Sequence, residues 1–248
     1  MSEKRHEINE QGVARPDPLF MQPALGTYGT REHTEKWDKL KRQMDDGGIL
    51  MMGENPKLPK MPQRPTLVDF FKLRFAPYIS EHMLQSAQMA RSAGMTEKMV
   101  MACLLHDIAV AGLISADHGY WGAQLIEPYV DEEVTWAVRH HQSLRFFADE
   151  SAGYAYPEAY IRFFGPSYRP PSYIQKAYEA ARAHRWYMSA RIVTLHDIYA
   201  WDPNSVVTID DFTDVIGRQF KQPDEGLGFD GSPVSHMWRS MIFPNNAL

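Results

Sequence analysis

The spacing of apolar residues changes at Thr66, and from there onward it predicts helices. Between Met83 and Ala93, apolar residues recur at every third or fourth position, which places them on one face of a helix. Gly94 follows this stretch and is the residue type that most often ends a helix. Thr96 is a good N-cap for the next stretch. The pattern therefore predicts successive helices in this region.

Helices are also predicted for most of the remaining chain. Asp117 and Asp131 are placed to cap two further helices. A long helix is predicted over about 172–199 and another over about 210–220, while the segment 153–171, rich in Tyr, Gly and Pro, is interpreted as a long ordered loop. No segment shows sustained alternation of apolar and polar residues, so a large sheet is not expected. The predicted fold class is all-α.

The first 65 residues have a different composition. They hold seven of the 17 prolines but three of the 30 aromatic residues, so they can bury little apolar area. We interpret residues 1–65 as an extended, Pro-rich N-terminal arm on or over the core, with one short helix around 31–44; a partly disordered tail is the alternative. Residues 66–248 are then a helical bundle with a C-terminal helical extension.

Composition and charge narrow the class of protein. Of the 248 residues, 44% are hydrophobic and 23% charged, as in ordinary globular proteins. The net charge of −5 gives no general attraction to nucleic acid or anionic lipid. A single cysteine, Cys103, excludes an intramolecular disulfide and a multi-thiolate zinc site, and no apolar run approaches the length of a membrane span. These features predict a soluble, cytoplasmic protein without nucleic-acid or membrane partners.

The placement of histidine is the most informative chemical feature. Five of the ten histidines lie between residues 82 and 141, and imidazole and carboxylate are the side chains that divalent metals prefer. On a helical wheel His141 shares a face with Val134 and Val138, whereas His140 shares its face with Trp136. His141 is therefore expected to point inward, in preference to its neighbour.

Several acidic and imidazole side chains share such apolar faces. A buried ionised carboxylate or unpaired imidazole is costly, and although one inward histidine is ordinary in a core, six on several helices are difficult to satisfy without a cation. The adjacent pair of His and Asp can reach one metal cluster most easily at a helix end. The candidate ligands are His82, His106, Asp107, His118, His141 and Asp197.

The order of these residues resembles that of the HD-domain superfamily of metalloenzymes, over roughly residues 66–202. The chain has two histidines beyond the minimal HD-domain set, and in this it resembles the members that have dinuclear metal sites. By that analogy Asp107 would bridge two metals, with three ligands on one side and two on the other. The matching strings are SEHMLQSA with His82, LLHDIA with His106 and Asp107, ADHGYWGAQLI with His118, AVRHHQ with His141, and RIVTLHDIYA with Asp197; the first side would hold His82, His106 and Asp197, and the second His118 and His141.

Two chemistries are known in the dinuclear branch of this superfamily. One is hydrolysis of phosphate esters, and the other is oxygenation at a mixed-valent di-iron centre, as in myo-inositol oxygenase and the oxygenases that cleave the C–P bond of hydroxyphosphonates. The string EHMLQSA is similar to the first-histidine motif of the phosphonate oxygenases. The string VRHHQ resembles the fourth-histidine motif of both oxygenases, which again selects His141. Arg145 lies where the phosphonate enzymes place a cationic substrate-binding side chain.

The chain also departs from its apparent relatives. Val110 stands three residues after Asp107, where relatives often carry Lys or His. Lys72 and Phe75 stand where the phosphonate oxygenases have Tyr and Glu, and the GYP signature of cyclic-dinucleotide phosphodiesterases is missing after the histidine pair. These differences bear on the identity of the substrate more than on the metal site.

Three hypotheses follow. The first is an O2-dependent oxygenase with two irons in the mixed-valent Fe(II)/Fe(III) state, in which Arg145 and His140 contact a small polar, hydroxylated or anionic substrate. The alternative is a phosphohydrolase for nucleotides or phosphate esters that uses Mn or Mg at the same site. The third is a non-catalytic ligand-binding protein with a relict metal site. The sequence leaves the native metal, the substrate and homo-oligomerisation open.

Overall fold

The structure is a computed structural model that describes residues 59, 61–62, 65–112 and 114–221. Within these residues every regular element is helical, apart from one isolated antiparallel bridge between Asp149 and Tyr154. The all-α prediction is confirmed. The helix around 31–44 and most of the predicted arm lie outside the described residues, as does the chain after residue 221, so the division into arm and bundle stays a prediction.

Ten α-helices lie within this part of the chain, together with two short 3₁₀ helices, Glu150–Ala152 and Ile209–Phe212. The helix predicted over 210–220 is found as the second of these 3₁₀ turns followed by α10. None of the ten helices combines the length and apolar composition needed to cross a membrane. The α-helices are α1 (Leu67–Leu73), α2 (Pro77–Ser92), α3 (Glu97–Leu105), α4 (Ile108–Ala111), α5 (His118–Ile126), α6 (Glu132–Leu144), α7 (Glu158–Phe164), α8 (Ser172–Arg182), α9 (Tyr187–Asp197) and α10 (Thr213–Gln219).

The predicted end of α2 is confirmed at Gly94. This glycine has φ +72°, a left-handed conformation that costs little without a Cβ atom. Its N–H donates to the carbonyl of Arg91, and the N–H of Met95 donates to the carbonyl of Ala90, both at 3.0 Å. This pair of bonds is the Schellman motif, which satisfies carbonyls that the helix end leaves open.

Both predicted aspartate caps precede helices, but they act differently. The Asp131 carboxylate accepts a hydrogen bond from the N–H of Glu133 at 2.9 Å and caps α6. Asp117 precedes α5 with φ +52° and makes no side-chain cap; its carboxylate accepts instead from the hydroxyl of Tyr173 in α8, at 3.1 Å. The connection into α5 is therefore held by a distant helix.

The prediction of a loop over 153–171 is wrong, because this segment contains α7. The helix begins directly after Pro157, and proline suits the start of a helix since the first N–H groups there have no partner within the helix. Ala159 and Tyr160 are buried against Ile198. The Tyr, Gly and Pro content of the segment argues against a helix, but packing on a distant part of the chain stabilises one.

The single helix predicted over 172–199 is also wrong, because it is divided into α8 and α9. At the break, Nδ1 of His184 accepts the backbone N–H of Trp186 at 3.2 Å, a local bond that competes with the helical ladder. The ring of His184 stacks on Trp136 of α6, with centroids 4.4 Å apart. A contact between distant segments therefore fixes the break.

The core lies where α2, α3, α6 and α9 meet. Helix α6 packs against α3, α5 and α9, and α2 packs against α3 and α9. Val134 and Val138 are fully buried on α6, as the wheel predicted, and Met61 joins the same core from before α1. This packing also brings polar side chains from five separate places in the chain into the interior.

Candidate metal centre

All six candidate ligands are buried together at the centre of the bundle, and none is more than 8% exposed. His82 comes from α2, His118 begins α5, His141 lies on α6 and Asp197 ends α9. The remaining two candidate ligands, His106 and Asp107, occupy the turn between the end of α3 and the start of α4. This break lets the adjacent side chains of His106 and Asp107 face one point, as expected from a helix end.

The first group of ligands surrounds one point. Nε2 of His82 lies 3.0 Å from Nε2 of His106 and 3.1 Å from Oδ1 of Asp197. Nε2 of His106 lies 3.6 Å from the same Asp197 oxygen. The sequence assigned these three residues to one side of a dinuclear site, and the structure brings them together.

The second group lies on the other side of Asp107. Nε2 of His118 is 3.1 Å from Nε2 of His141, and these nitrogens lie 3.2 and 3.7 Å from Oδ1 of Asp107. Oδ2 of the same carboxylate faces the first group, 3.5 Å from Nε2 of His82 and 3.7 Å from Nε2 of His106. One carboxylate oxygen therefore serves each group.

The four imidazoles are oriented in the same way, with Nδ1 directed to a backbone carbonyl. A carbonyl only accepts, so each Nδ1 carries a proton, and in the neutral imidazole Nε2 presents a lone pair to the centre. Such bonds fix the tautomer of metal-binding histidines. The pairs are His82 with Ala200 at 3.1 Å, His106 with Cys103 at 2.7 Å, His118 with Ser115 at 3.0 Å and His141 with Val138 at 2.6 Å.

The chemistry of this donor set fits metal ions. When all four imidazoles are neutral, four lone pairs and two carboxylates converge, and two nitrogens that both lack a proton cannot hydrogen-bond to one another at 3.0 or 3.1 Å. A cation satisfies all of these acceptors together. Imidazole nitrogens and carboxylate oxygens are ligands that divalent transition metals accept, so these six residues would hold such ions.

The electrostatics of the centre favour the ionised carboxylates. Burial acts to raise the pKa of Asp107, but the facing imidazoles outweigh burial and hold the pKa below its usual range. The pKa of Asp197 is also held well below its usual range against burial, through His106 and His82. Burial lowers the pKa of His118 to about 3, so this imidazole is neutral, as a metal ligand must be.

In the metal-free centre, His106 holds a proton in place of a cation. Burial acts to lower its pKa, but Asp107 and Asp197 raise the pKa to about 9. A proton therefore occupies the first group at neutral pH when no cation is bound. A metal ion has to displace that proton.

Close packing of α5 on α6 brings His118 to His141. A Cβ atom on Gly119 would lie 2.9 Å from the carbonyl oxygens of both Val138 and Arg139, so only glycine allows this approach. At Gly122 a Cβ atom would make ordinary contacts of 3.4 Å or more. The glycine directly after His118 is therefore a requirement of the site.

Arg145 also lies beside the centre. It follows α6, is 7% exposed, and its guanidinium carbon is 5.8 Å from the ring centroid of Tyr160. Burial acts to lower its pKa, yet Tyr160, Asp197 and Asp107 raise it. The charge of Arg145 is thus maintained next to the carboxylates of the centre.

His140 lies away from the six ligands. Its half-buried ring packs on Trp136, with centroids 4.4 Å apart, and it lines a surface cleft with Tyr120, Trp121 and Tyr173. Burial lowers its pKa to about 4. The predicted contact between His140 and a substrate stays a prediction.

Sequence reasoning missed the residues that hold Arg145 in place. The hydroxyl of Tyr154 donates to the carbonyl of Arg145 at 2.7 Å. Arg191 is fully buried, donates to the carbonyl of Leu144 at 3.0 Å, and lies 4.6 Å from the ring centroid of Tyr154. The sequence held one usable signal for Arg191. Tyr187 stands four residues before it on the same helix, and the Tyr187 hydroxyl accepts hydrogen bonds from the Arg191 guanidinium.

Two further residues near the centre were also missed. Tyr78 lies one turn before His82, and both burial and the charge of Asp107 raise its pKa. Trp201 stacks on the ring of His82, with centroids 4.0 Å apart. The spacing of Tyr78 on α2 was a usable signal, whereas Trp201 lies outside any regular element.

Comparison with known families agrees with this centre. The sequence model described as HD domain matches residues 79–201, which include all six ligands. Residues 79–201 of the chain form an HD domain. HD domains bind metals and the family is enzymatic, which agrees with the His and Asp clusters here that could hold a dinuclear site.

One relative of this HD-domain protein is the 1-hydroxy-2-(trimethylamino)ethylphosphonate dioxygenase (glycine-betaine-forming) of Leisingera caerulea. It is 34% identical over 73 residues, which amount to 25% of this chain and 37% of the relative. The match therefore spans well under two thirds of the relative's length.

Proposed function

We propose that this HD-domain protein is an O2-dependent oxygenase with two irons that acts on a small polar, hydroxylated or anionic substrate. The observation that carries the proposal is the position of Asp107, whose two carboxylate oxygens face two separate groups of ligands. The partial similarity to a protein named as a phosphonate dioxygenase supports the same reaction class.

The donor set favours transition metals, among which we propose iron. His82, His106 and Asp197 would hold one ion, His118 and His141 the other, and Asp107 would bridge them. Four imidazoles suit iron and other transition metals, whereas Mg²⁺ prefers oxygen ligands. When bound, a pair of irons supplies the one-electron chemistry that activates O2. The chain supplies the ligand geometry and a buried setting.

Arg145 is the residue that we assign to substrate binding. Its buried guanidinium can hold a phosphonate, phosphate or carboxylate through two parallel charge-assisted hydrogen bonds. Asp107 and Asp197 act on the charge of Arg145 and raise its pKa, which supports a substrate anion bound on the side of the metal ligands. Tyr154 and Arg191 fix the backbone that carries this side chain.

A hydroxyphosphonate is the first substrate class to examine, because the relative's name describes one. An α-hydroxyphosphonate and one O2 together contain the atoms of a carboxylic acid and phosphoric acid. Oxidative cleavage of the C–P bond therefore balances without another co-reactant, and each product receives one atom of O2. Other hydroxylated anions and polyols belong in the same panel.

The experiment uses the full chain, purified anaerobically and loaded with Fe(II). Substrates are supplied with isotopically labelled O2, with O2 excluded, and with Mn(II) or Mg(II) replacing iron. We expect substrate-dependent O2 uptake and label in the carboxylic acid product. Product formation that is undiminished without O2 eliminates the oxygenase. Phosphate release from nucleotides that depends on Mn or Mg instead identifies the phosphohydrolase.

A further inference from the structure

The two halves of the centre are held by different parts of the fold. His82, His106 and Asp197 are supplied by α2, α3 and α9, which pack on one another in the core. His118 stands at the first position of α5, directly after a connecting segment. Its position therefore depends on what fixes the backbone around it.

A hydrogen bond from α8 fixes the residue before His118. Asp117 has the one positive φ among non-glycine residues of the described chain, +52°. Aspartate is among the few non-glycine residue types that adopt this conformation, and its side chain remains available for a hydrogen bond. Here the partner is the hydroxyl of Tyr173, which donates to Oδ1 of Asp117 at 3.1 Å.

A second hydrogen bond fixes the residue after His118. The N–H of Gly119 donates to Oε1 of Gln142 at 3.2 Å. Gln142 directly follows His141, so this bond joins the two chain segments that carry the second group of ligands. The short approach of Gly119 to the carbonyls of α6 adds to the same constraint.

We propose that Tyr173 and Gln142 are positioning residues for the second cation, so that loss of either bond weakens the His118–His141 position and leaves the first position intact. The inference rests on the dinuclear centre of the proposed function. Outer partners of metal ligands typically contribute about 10- to 100-fold in affinity. These bonds act one residue away, so we expect about tenfold.

Tyr173→Phe removes one bond, and Gln142→Met removes the other with a side chain of similar shape. Gln142→Glu restores an acceptor oxygen and serves as the rescue. Tyr120→Phe is the matched control, because Tyr120 lines the same cleft and its hydroxyl has no hydrogen bond to the described residues. Tyr173 is 55% exposed, so its truncation leaves the core unchanged.

The probe is Mn(II), titrated into the metal-free full chain and followed by equilibrium dialysis and EPR. Wild type and Tyr120→Phe are expected to bind two ions with a spin-coupled signal. Tyr173→Phe and Gln142→Met are expected to keep one tight ion with an uncoupled six-line signal, while their second site weakens about tenfold. Gln142→Glu is expected to recover the coupled signal.

If the wild type binds two ions, either of two results overturns this inference but not the proposed function. In one, the variants bind both ions as the wild type does; in the other, they lose affinity equally at both sites. A wild type that binds one ion or none contradicts the dinuclear centre itself. Thermal unfolding of each metal-free variant separates a loss of fold from a loss of the second site.

Discussion

Oδ1 of Asp107 lies 3.2 Å from Nε2 of His118, while the other oxygen of the same carboxylate is directed to the opposite group of ligands. A residue in the turn between two helices thus connects both halves of the centre. Because each oxygen faces a different set of imidazoles, the loss of this one carboxylate affects both metal positions.

Asp107→Asn tests that connection. The amide keeps the shape but loses the negative charge, so we expect affinity for both ions to fall by at least about 100-fold, more than for an outer partner. Activity is expected to fall with it. Metal analysis of the purified variant provides the measurement, with the exposed Asp210→Asn as control. Retention of two tightly bound ions contradicts the bridging role.

Arg145→Met tests the assignment of the substrate site. Loss of a charge-assisted hydrogen bond is expected to lower kcat/KM about 10- to 100-fold with metal content unchanged. Arg139→Met is the matched control, because Arg139 lies on α6, which Arg145 directly follows, but faces the surface cleft. Equal effects of the two substitutions on kcat/KM count against a substrate contact at Arg145.

The affinity for metal is expected to rise with pH. In the metal-free protein the pKa of His106 is raised to about 9, so below that pH a proton occupies the site. Binding releases this proton, and the apparent affinity therefore rises by about tenfold per pH unit up to about pH 9. Anaerobic Mn(II) titrations between about pH 6 and pH 8 measure the slope. A flat profile contradicts the displacement of this proton.

Gly119→Ala and Gly122→Ala make a matched pair on α5. At Gly119 the new Cβ atom meets two carbonyl oxygens at 2.9 Å, so the backbone must shift, and we expect a loss of about 1–3 kcal/mol in unfolding free energy. At Gly122 the contacts are ordinary, and alanine's higher helix propensity makes the change neutral or slightly stabilising. Chemical denaturation measures both. Equal stabilities mean that the close approach at Gly119 is unimportant.

The convergence of the six candidate ligands could be predicted from the sequence, because their order, their apolar helical faces and the helix end at His106 are local signals; that they bind metal stays a prediction. Gly94 and Asp131 were predictable for the same reason, since each caps its own helix. The helix α7 was not, because Tyr160 is buried against a distant segment. The break at His184 likewise depends on Trp136 from another helix.

Residues beside the centre were predicted less well than the ligands themselves. Arg145 was selected by resemblance, because it lies four residues after His141, where the phosphonate oxygenases place a cationic side chain. The burial of Arg191 depends on carbonyl and ring contacts from other segments, which no spacing along the chain reveals. His140 illustrates the reverse, since its neighbour is a candidate ligand while its own ring faces a cleft.

The central claim is that one carboxylate joins two metal positions. It is tested most directly by counting irons in the full chain after anaerobic purification and recording EPR spectra on partial oxidation. The account predicts about two irons per chain, bound by the two groups on either side of Asp107, and a mixed-valent signal. A single ion, or two ions without magnetic coupling in any oxidation state, contradicts it.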